Sequence, residues 1–523
     1  MMTRSPEKQC RLLAVTMEEL IPENHFLRKL DAAISFDFVY DIVAPLYSAQ
    51  GRPSIDPVIL VKMLLLGYLY GIDSERKLAE EVRYNIAYRW YLGFDLDDAT
   101  PDHSTFSQNR HRRFKGHEVF RQIFDQIVAR CQEAGLVKGE CVVMDSTHIK
   151  ANADTRNNIT IEITRRPEAY WDELNQTVLP EETIKKVRNP SDPEAGYMNR
   201  TGKPKGFHYL NHQCSDADTG IILDVSVTGG DVQDCECCVE RYAYLKNEKH
   251  YPIRSAGLDS GYDTIRIHYG LTRLGITAYI RPCMRGTGRG DTIPSDKFLW
   301  MPDRDCYICP NGCELTFRGT WISHGVPLRS YVSKRSDCRI CQYGPNCYVK
   351  RLMTRKITRK PGQEYQEQGR SRIGTSAYNR TLKKRQIVCE GNFGLQKRCH
   401  NLRFTRKRGI ENVEEQCLLS ASALNLKRLI KEIKGKKNPL AKAAKSLTYM
   451  QVDLLFLLTV FDPHTFKDQL CQQTHLANPY FTRSSPAPLE SASPPRKAPQ
   501  APPAQGKCRP PERYGPDTTG GIP

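Results

Sequence analysis

The sequence has little that would hold it in a membrane or send it out of the cell. Its first thirty residues alternate charged and apolar side chains, Arg4, Glu7, Lys8 and Arg11 and then Glu18 and Glu19, without the apolar centre of a secretory signal. Near the C-terminus the longest apolar stretch, Val452 to Phe461, is broken by Asp453 and falls short of the ~20 residues a spanning helix needs. Acidic side chains are also scarce relative to basic ones: 59 Asp+Glu face 77 Lys+Arg, a net charge of +18 over 523 residues. No internal repeat is visible. The 39% hydrophobic content is low, yet over this length it supplies a large core and excludes a wholly disordered chain. The length suggests about two to four domains. What the sequence does have is cysteine, 19 in all. An odd number without a secretory signal reads as reduced thiols in a cytoplasmic protein, used for packing or metal and not as a disulfide framework.

The positive excess makes an anionic partner the first expectation, nucleic acid or an acidic surface. Its location narrows this. Between Arg351 and Leu440 there are 23 Lys/Arg and 7 Asp/Glu, so most of the excess sits in less than a fifth of the chain. A localised basic face suits a polyanion backbone, because each neutralised phosphate releases counterions.

The N-terminal third reads as helical. Pro53 to Tyr70 is an apolar helix with Asp56 as N-cap and Pro57 at its first position, Ser74 opens an amphipathic helix, and Asp102 opens another before the basic run from Arg110 to Arg113. Short helices with a basic third element resemble a DNA-binding helical bundle. After Glu140 the pattern changes to strands: Cys141 to Ile149, Gly206 to Leu210, Gly220 to Thr228, Ile253 to Asp259 and Ile276 to Ile280, with a turn at Ser215 to Gly220 and a helix over about 263–274. Early antiparallel strands followed by a β-α-β unit indicate a mixed α/β sheet. A Gly-, Cys- and basic-rich stretch over 284–375 interrupts it before a helix at about 378–398. The last forty residues, Ser484 to Pro523, hold 11 of the 33 prolines and read as a disordered tail.

Three carboxylates are placed for chemistry. Asp145 ends the buried run Cys141-Val-Val-Met, and Asp259 ends Ile253–Leu258 before Ser260-Gly-Tyr-Asp263. Glu390 lies inside the basic segment, and on a helix it shares a face with Lys397, seven residues on. Carboxylates from two strands and a helix can hold two Mg²⁺ ions, which favour oxygen ligands and stabilise both oxygens of an in-line phosphoryl displacement.

These blocks resemble a known family. Val143-Met-Asp145-Ser-Thr-His148, Gly257-Leu-Asp259-Ser-Gly-Tyr262 and Val388-Cys-Glu390-Gly-Asn-Phe-Gly394-Leu-Gln-Lys397 look like the three signature blocks of bacterial insertion-sequence DDE transposases. Pro53-Ser-Ile-Asp-Pro57, Leu64 to Gly71 and Pro101 to Phe106 resemble that family's helical N-terminal domain, and the resemblance runs in order from about residue 5 to 435. It implies an RNase H-like mixed α/β catalytic domain in which Asp145, Asp259 and Glu390 bind Mg²⁺ or Mn²⁺, with His208 and Asp234 supporting them. The basic belt around Glu390 supplies the expected DNA contacts, Arg385, Lys397, Arg398, Arg403, Arg406, Lys407 and Arg408. One departure stands out: of the family's Tyr-x2-Arg-x3-Glu-x6-Lys pattern only Glu390-x6-Lys397 fits, because Arg385 stands five positions before Glu390 and no tyrosine has the matching spacing.

Six cysteines lie between Cys306 and Cys347. Cys306-x2-Cys309 with Cys338-x2-Cys341 has the paired arrangement of a structural zinc site, although the gap between the pairs is long. The family resemblance favours Cys309, Cys338, Cys341 and Cys347 instead, with Cys313 in reserve. Cys235, Cys237 and Cys238 lack a matching pair and read as packing thiols.

The expected organisation is a helical, DNA-binding N-terminal domain over 1–135, an RNase H-like catalytic domain over 136–283 and 376–435, a Cys-rich insertion over 284–375, a helical segment over 436–483 and the tail. The expected activity is Mg²⁺-dependent cutting of element ends and their joining to target DNA in the cytoplasm, at the nucleoid, by a homodimer on double-stranded DNA, with no membrane. The rival expectations are a zinc-dependent DNA-binding regulator without catalysis and a decayed transposase copy. No oxyanion-hole or nucleophile-elbow pattern accompanies Ser146, Thr147 and His148, which excludes a serine-hydrolase reading.

Overall fold

The computed structural model describes residues 14–48, 50, 54–165, 181–199, 202, 205–283, 293–323, 326–347 and 352–435. The segment expected over 436–483 and the tail over 484–523 lie outside them, as do Arg351 and residues 284–292. The chain up to Lys437 forms one compact unit, and a second unit, Asn438–Pro523, falls outside the described residues.

The described residues up to 135 are helical: α1 (Met17–Leu20), α2 (Phe26–Ala33), α3 (Phe38–Val43), α4 (Pro57–Tyr70), α5 (Glu75–Tyr84), α6 (Ile86–Leu92), α7 (His103–Asn109) and α8 (Val119–Glu133). Helix α4 begins where sequence places it. The Asp56 carboxylate accepts from the Val58 N–H at 2.7 Å, Pro57 takes the first position, and Gly71, at φ 71°, closes the C-terminus in the left-handed conformation. Ser74 and Asp102 cap α5 and α7 in the same manner.

The central sheet contains β1 (Cys141–Lys150), β4 (Gly196–Met198), β5 (Gly206–Asp216), β6 (Ile222–Gly229), β7 (Ser255–Leu258) and β8 (Thr277–Ile280), while β2 (Ile159–Arg165) and β3 (Glu182–Arg188) form a separate hairpin. Its order is β6-β5-β1-β7-β8, and the short β4 shares the outer edge of β5 with β6. Strands β6, β5 and β1 run antiparallel, whereas β1, β7 and β8 are parallel. This order and polarity is that of an RNase H-like sheet. The parallel crossovers carry α9 (Cys238–Ala243) between β6 and β7 and α10 (Ile265–Arg273) between β7 and β8.

Between β8 and the next long helix the insertion builds its own five-stranded antiparallel sheet. Strands β9 (Leu299–Met301), β10 (Cys306–Ile308), β11 (Glu314–Ser323), β12 (Val326–Ser333) and β13 (Lys356–Arg359) pair in sequence, with α11 (Arg335–Arg339) before β13 and α12 (Gln363–Arg370) after it. Phe298, Tyr307, Leu315, Tyr331 and Ile357 give it a small core of its own.

The last two described helices are α13 (Ser376–Cys399) and α14 (Ile410–Gly435). Helix α14 is buried on nearly every side from Val413 to Ile430, and it packs against α2, α4 and α8 as well as β6. A helix apolar around its circumference must be enclosed, and this one joins the N-terminal helices to the sheet. One hydrophobic core therefore runs from Leu27 through Ile222 to Leu429. The N-terminal helices and the sheet share that core, which is closer integration than the separate domain expected over 1–135.

Candidate active site

Register brings Asp145 and Asp259 together. Val143 pairs with Gly257 at the last position of the parallel β1–β7 ladder, so residues two places further on each strand lie side by side on one face. Asp259 leaves β7 and caps the following turn, accepting from the Gly261 N–H at 2.9 Å, while Asp145 accepts from the Ser146 N–H at 2.9 Å. Helix α13 lies across this face. A Cβ on Gly257 would stand 2.9 Å from the Thr381 methyl and 3.1 Å from Val143, so the bare glycine sets how closely α13 approaches β7.

From that helix Arg385 reaches into the gap between the acids. Its Nη2 lies 2.7 Å from Oδ2 of Asp145 and 3.4 Å from Oδ2 of Asp259, with only 14% of the side chain exposed. Burial pushes the Asp145 carboxyl up to about 6, Arg385 opposes that shift, and Asp259 reinforces it. Arg385 was expected to grip DNA; it is instead turned inward as the counter-ion of the two aspartates.

Glu390 sits on α13 beside the buried Cys389 and is itself exposed. Burial raises the Cys389 thiol, and the charges of Asp145, Asp259 and Glu390 add to the shift while Arg385 opposes it. Among the described residues no three His, Cys, Asp or Glu groups are drawn close enough to ligate one ion. The chemistry of the donor set nonetheless suits a hard divalent cation: Asp145 and Asp259 already share the positive charge of Arg385, and Glu390 adds a third carboxylate from the same helix as that arginine. Glu390 and Lys397 do share a face of α13, as their spacing requires.

The two residues expected to support the carboxylates separate. Asp234 flanks Asp259, since both carboxylates come within 4 Å of where a Cβ on Gly261 would stand. His208 does not belong there. It pairs with Lys150, five residues beyond Asp145 along β1 and hence about 17 Å away on the opposite face. Its Nδ1 lies 3.0 Å from the Gly206 carbonyl, and its ring meets that of His148 edge-to-face at 6.1 Å.

The basic loop after α13 divides similarly. Lys397, Arg403 and Arg406 line two adjoining cavities of 900 and 670 Å³, the first walled by α4, α5 and α7 and the second by Ser146–Asn152 and His208. Arg398 is exposed beside the larger, Arg406 is held by Asp73 at 3.0 Å, and Arg408 donates to the Asn152 carbonyl at 3.1 Å. Lys407, expected on DNA, also lines the larger cavity but is half-buried and turned to an acid. Its Nζ lies 2.7 Å from Glu415, which also receives Arg110 at 2.8 Å, and burial lowers its pKa.

In the insertion, Cys309, Cys313, Cys338, Cys341 and Cys347 line one small cavity. Burial raises the Cys347 thiol, and Cys338, Cys341 and Cys309 push it in the same direction. Cys306 does not line this cavity. It is buried within β10, paired with Met301 and Thr316, whereas Cys309, Cys338, Cys341 and Cys347 share the lining of the cavity.

One organising residue escaped sequence reading. Asp263 is buried and receives His268 at 3.0 Å, the Cys283 N–H at 2.9 Å, Gln366 at 3.0 Å and Arg370 at 2.7 Å. It ties α10 to both ends of the insertion and is held well below the usual carboxylate range by these donors, against the opposing effect of burial. Its position four residues after Asp259 was the only signal.

An RNase H-like sheet with paired carboxylates at adjacent strand ends, under a helix bearing a third, is the architecture of DDE enzymes. Residues 15–112 match the family described as "Transposase domain (DUF772)", and residues 308–430 match "Transposase DDE domain". The chain thus carries the N-terminal and DDE domains of an insertion-sequence DDE transposase. Asp145 and Asp259 fall outside both matched segments and rest on geometry alone. Among solved structures the chain is similar to the piggyBac transposase in a synaptic complex with hairpin DNA, at 12% identity over 79% of this chain and 77% of that one, with a TM-score of 0.32.

Proposed function

We propose that this transposase cuts the ends of its own mobile element and joins them to target DNA, with Asp145, Asp259 and Glu390 holding Mg²⁺ or Mn²⁺. The observation that carries this reading is Arg385 seated between Asp145 and Asp259, a cation bridging two carboxylates at the end of adjacent strands. Bound there, the divalent ions would stabilise charge on the attacking and leaving oxygens of an in-line phosphoryl displacement. Asp145 and Asp259 are aimed by the sheet, Asp234 flanks Asp259, and Lys397, Arg398 and Arg403 offer positive charge to the backbone of double-stranded DNA. Two ends have to meet, which a homodimer on DNA accomplishes, and the converging cysteines of the insertion would hold a structural Zn²⁺.

The test uses the full chain and plasmid DNA carrying the sequences that flank its gene, with Mg²⁺ or Mn²⁺. Strand cleavage at the element ends is expected, and Asp145→Asn should abolish it while leaving DNA binding intact. Cleavage that survives in Asp145→Asn and in Asp259→Asn overturns the assignment. Binding without cleavage in the parent chain favours the non-catalytic regulator or the decayed copy.

A further inference from the structure

The loop joining α13 to α14 presents an aromatic ring that the carboxylate chemistry leaves unexplained. Phe404 is 43% exposed although its backbone is tightly held. It bridges Lys150 in parallel at the end of β1, and the next residue, Thr405, donates to the Lys150 carbonyl at 2.9 Å. Gln416 donates to the Phe404 carbonyl at 3.0 Å, and Asn152 donates to that of Arg406 at 2.9 Å. A ring on a clamped loop loses little freedom when something stacks on it.

Its surroundings specify what that would be. Phe404 lines both cavities, and so do Lys397, Arg403 and Arg406, with the Arg406 guanidinium 5.9 Å from the ring centre. Volumes of 900 and 670 Å³ fall within the ~300–1,000 Å³ of small-ligand clefts, enough to take in a nucleotide or two. The smaller cavity is lined along β1 by Ser146, Thr147, His148 and Lys150, and of these Thr147 alone shares the Asp145 face, about 7 Å along the strand. Aromatic rings among cations in a narrow groove are what a single strand needs, since every base has a face to stack and every phosphate a charge to neutralise.

We propose that this groove binds single-stranded DNA, with one base stacked on Phe404 and the adjoining phosphates on Lys397 and Arg403. The inference deepens the transposase reading and rests on it for the identity of the strand: an unpaired stretch beside the cleavage point, leading away from Asp145 past Thr147. Asp73, 3.0 Å from Arg406, orients that guanidinium beside the ring.

The experiment measures binding by fluorescence anisotropy in the presence of chelator, so that no cleavage is required. The probes are a single-stranded oligonucleotide of about 15 nucleotides containing 2-aminopurine and a blunt duplex of the same sequence. Phe404→Ala should weaken single-strand binding roughly 10-fold, change duplex binding less than about twofold, and abolish the 2-aminopurine quench; Phe404→Tyr should restore all three towards the parent values. Equal losses on both DNAs, or an unchanged single-strand affinity in Phe404→Ala, overturn the proposal. Cleavage of element ends by the parent chain separates the two readings: a parent chain that cannot cut DNA but binds single strands through Phe404 defeats only the transposition reading. A chain that cuts element ends with no dependence on Phe404 defeats only this one.

Discussion

The Arg385 guanidinium lies 2.7 Å from the Asp145 carboxylate and reaches Asp259 with the same nitrogen. Its single positive charge thus offsets the repulsion between two acids that adjacent parallel strands force together. Removing the arginine leaves both carboxylates without a counter-ion. Arg385→Gln is expected to cost about 3 kcal/mol in urea denaturation, and the double variant with Asp145→Asn should recover much of it. Millimolar Mg²⁺ should raise the midpoint of Arg385→Gln by more than that of the parent chain. Equal responses to Mg²⁺ would argue against a cation site between these acids.

His212 supplies a pH dependence. It is buried in β5, its Nε2 lies 2.9 Å from the Thr228 hydroxyl, and burial lowers its pKa from 6.5 to about 4. Below the ordinary value the unfolded chain takes up a proton that the folded chain refuses. Its contribution is therefore whole above 6.5 and is lost as the pH falls towards 4, by about 2 kcal/mol at pH 5. Denaturation at pH 7 and pH 5 should show His212→Leu losing less than the parent over that interval; equal losses would sink the assignment.

Glu415 joins two cations to the central helix. It receives Arg110 at 2.8 Å and Lys407 at 2.7 Å, with 6% of its side chain exposed. Glu415→Ala leaves both positive charges buried without it and should cost about 3–5 kcal/mol. Glu75, 2.5 Å from Arg110, keeps one partner in place, so Lys407→Met added to Glu415→Ala should restore part of the loss. A double-mutant cycle measures this directly.

The attachment of the insertion depends on a bare position. A Cβ on Gly369 would stand 2.3 Å from the His268 ring, which donates to the Asp263 carboxylate. Gly369→Ala should force the ring off Asp263 and destabilise by about 1–3 kcal/mol. Limited proteolysis should then cut between the insertion and the sheet earlier than in the parent chain, and an unchanged cleavage pattern would refute the hub.

Zinc analysis discriminates among the cysteines. About one ion per chain is expected after purification, lost in Cys338→Ser and Cys341→Ser and retained in Cys306→Ser. Retention in the first two variants would leave the cluster as packing thiols.

Much of this was legible along the chain. The apolar run from Cys141 to Met144 aimed Asp145 at the end of a buried strand, Asp56 and Pro57 announced α4, and the spacing of Glu390 and Lys397 put both on one helical face. Other features were opaque for a definite reason. Lys407 and Arg406 look alike as neighbours in a basic run, but Glu415 turns one inward while Asp73 holds the other at the surface. Cys306 has the spacing of a zinc ligand, yet β10 encloses it away from the cavity that Cys309, Cys338, Cys341 and Cys347 line.

Periodic burial is a local property, so the strands, the caps and the alternation that identify the α/β sheet can be read from neighbours a few residues apart. The fate of a charge is not local. Arg385 became a counter-ion and not a DNA contact because Gly257 lets α13 settle onto β7 and turns that side chain towards two acids from distant parts of the chain. Only the packing of helix on sheet chooses between those partners, since the energy of a charge depends on what lies within a few ångströms of it and on how much water remains.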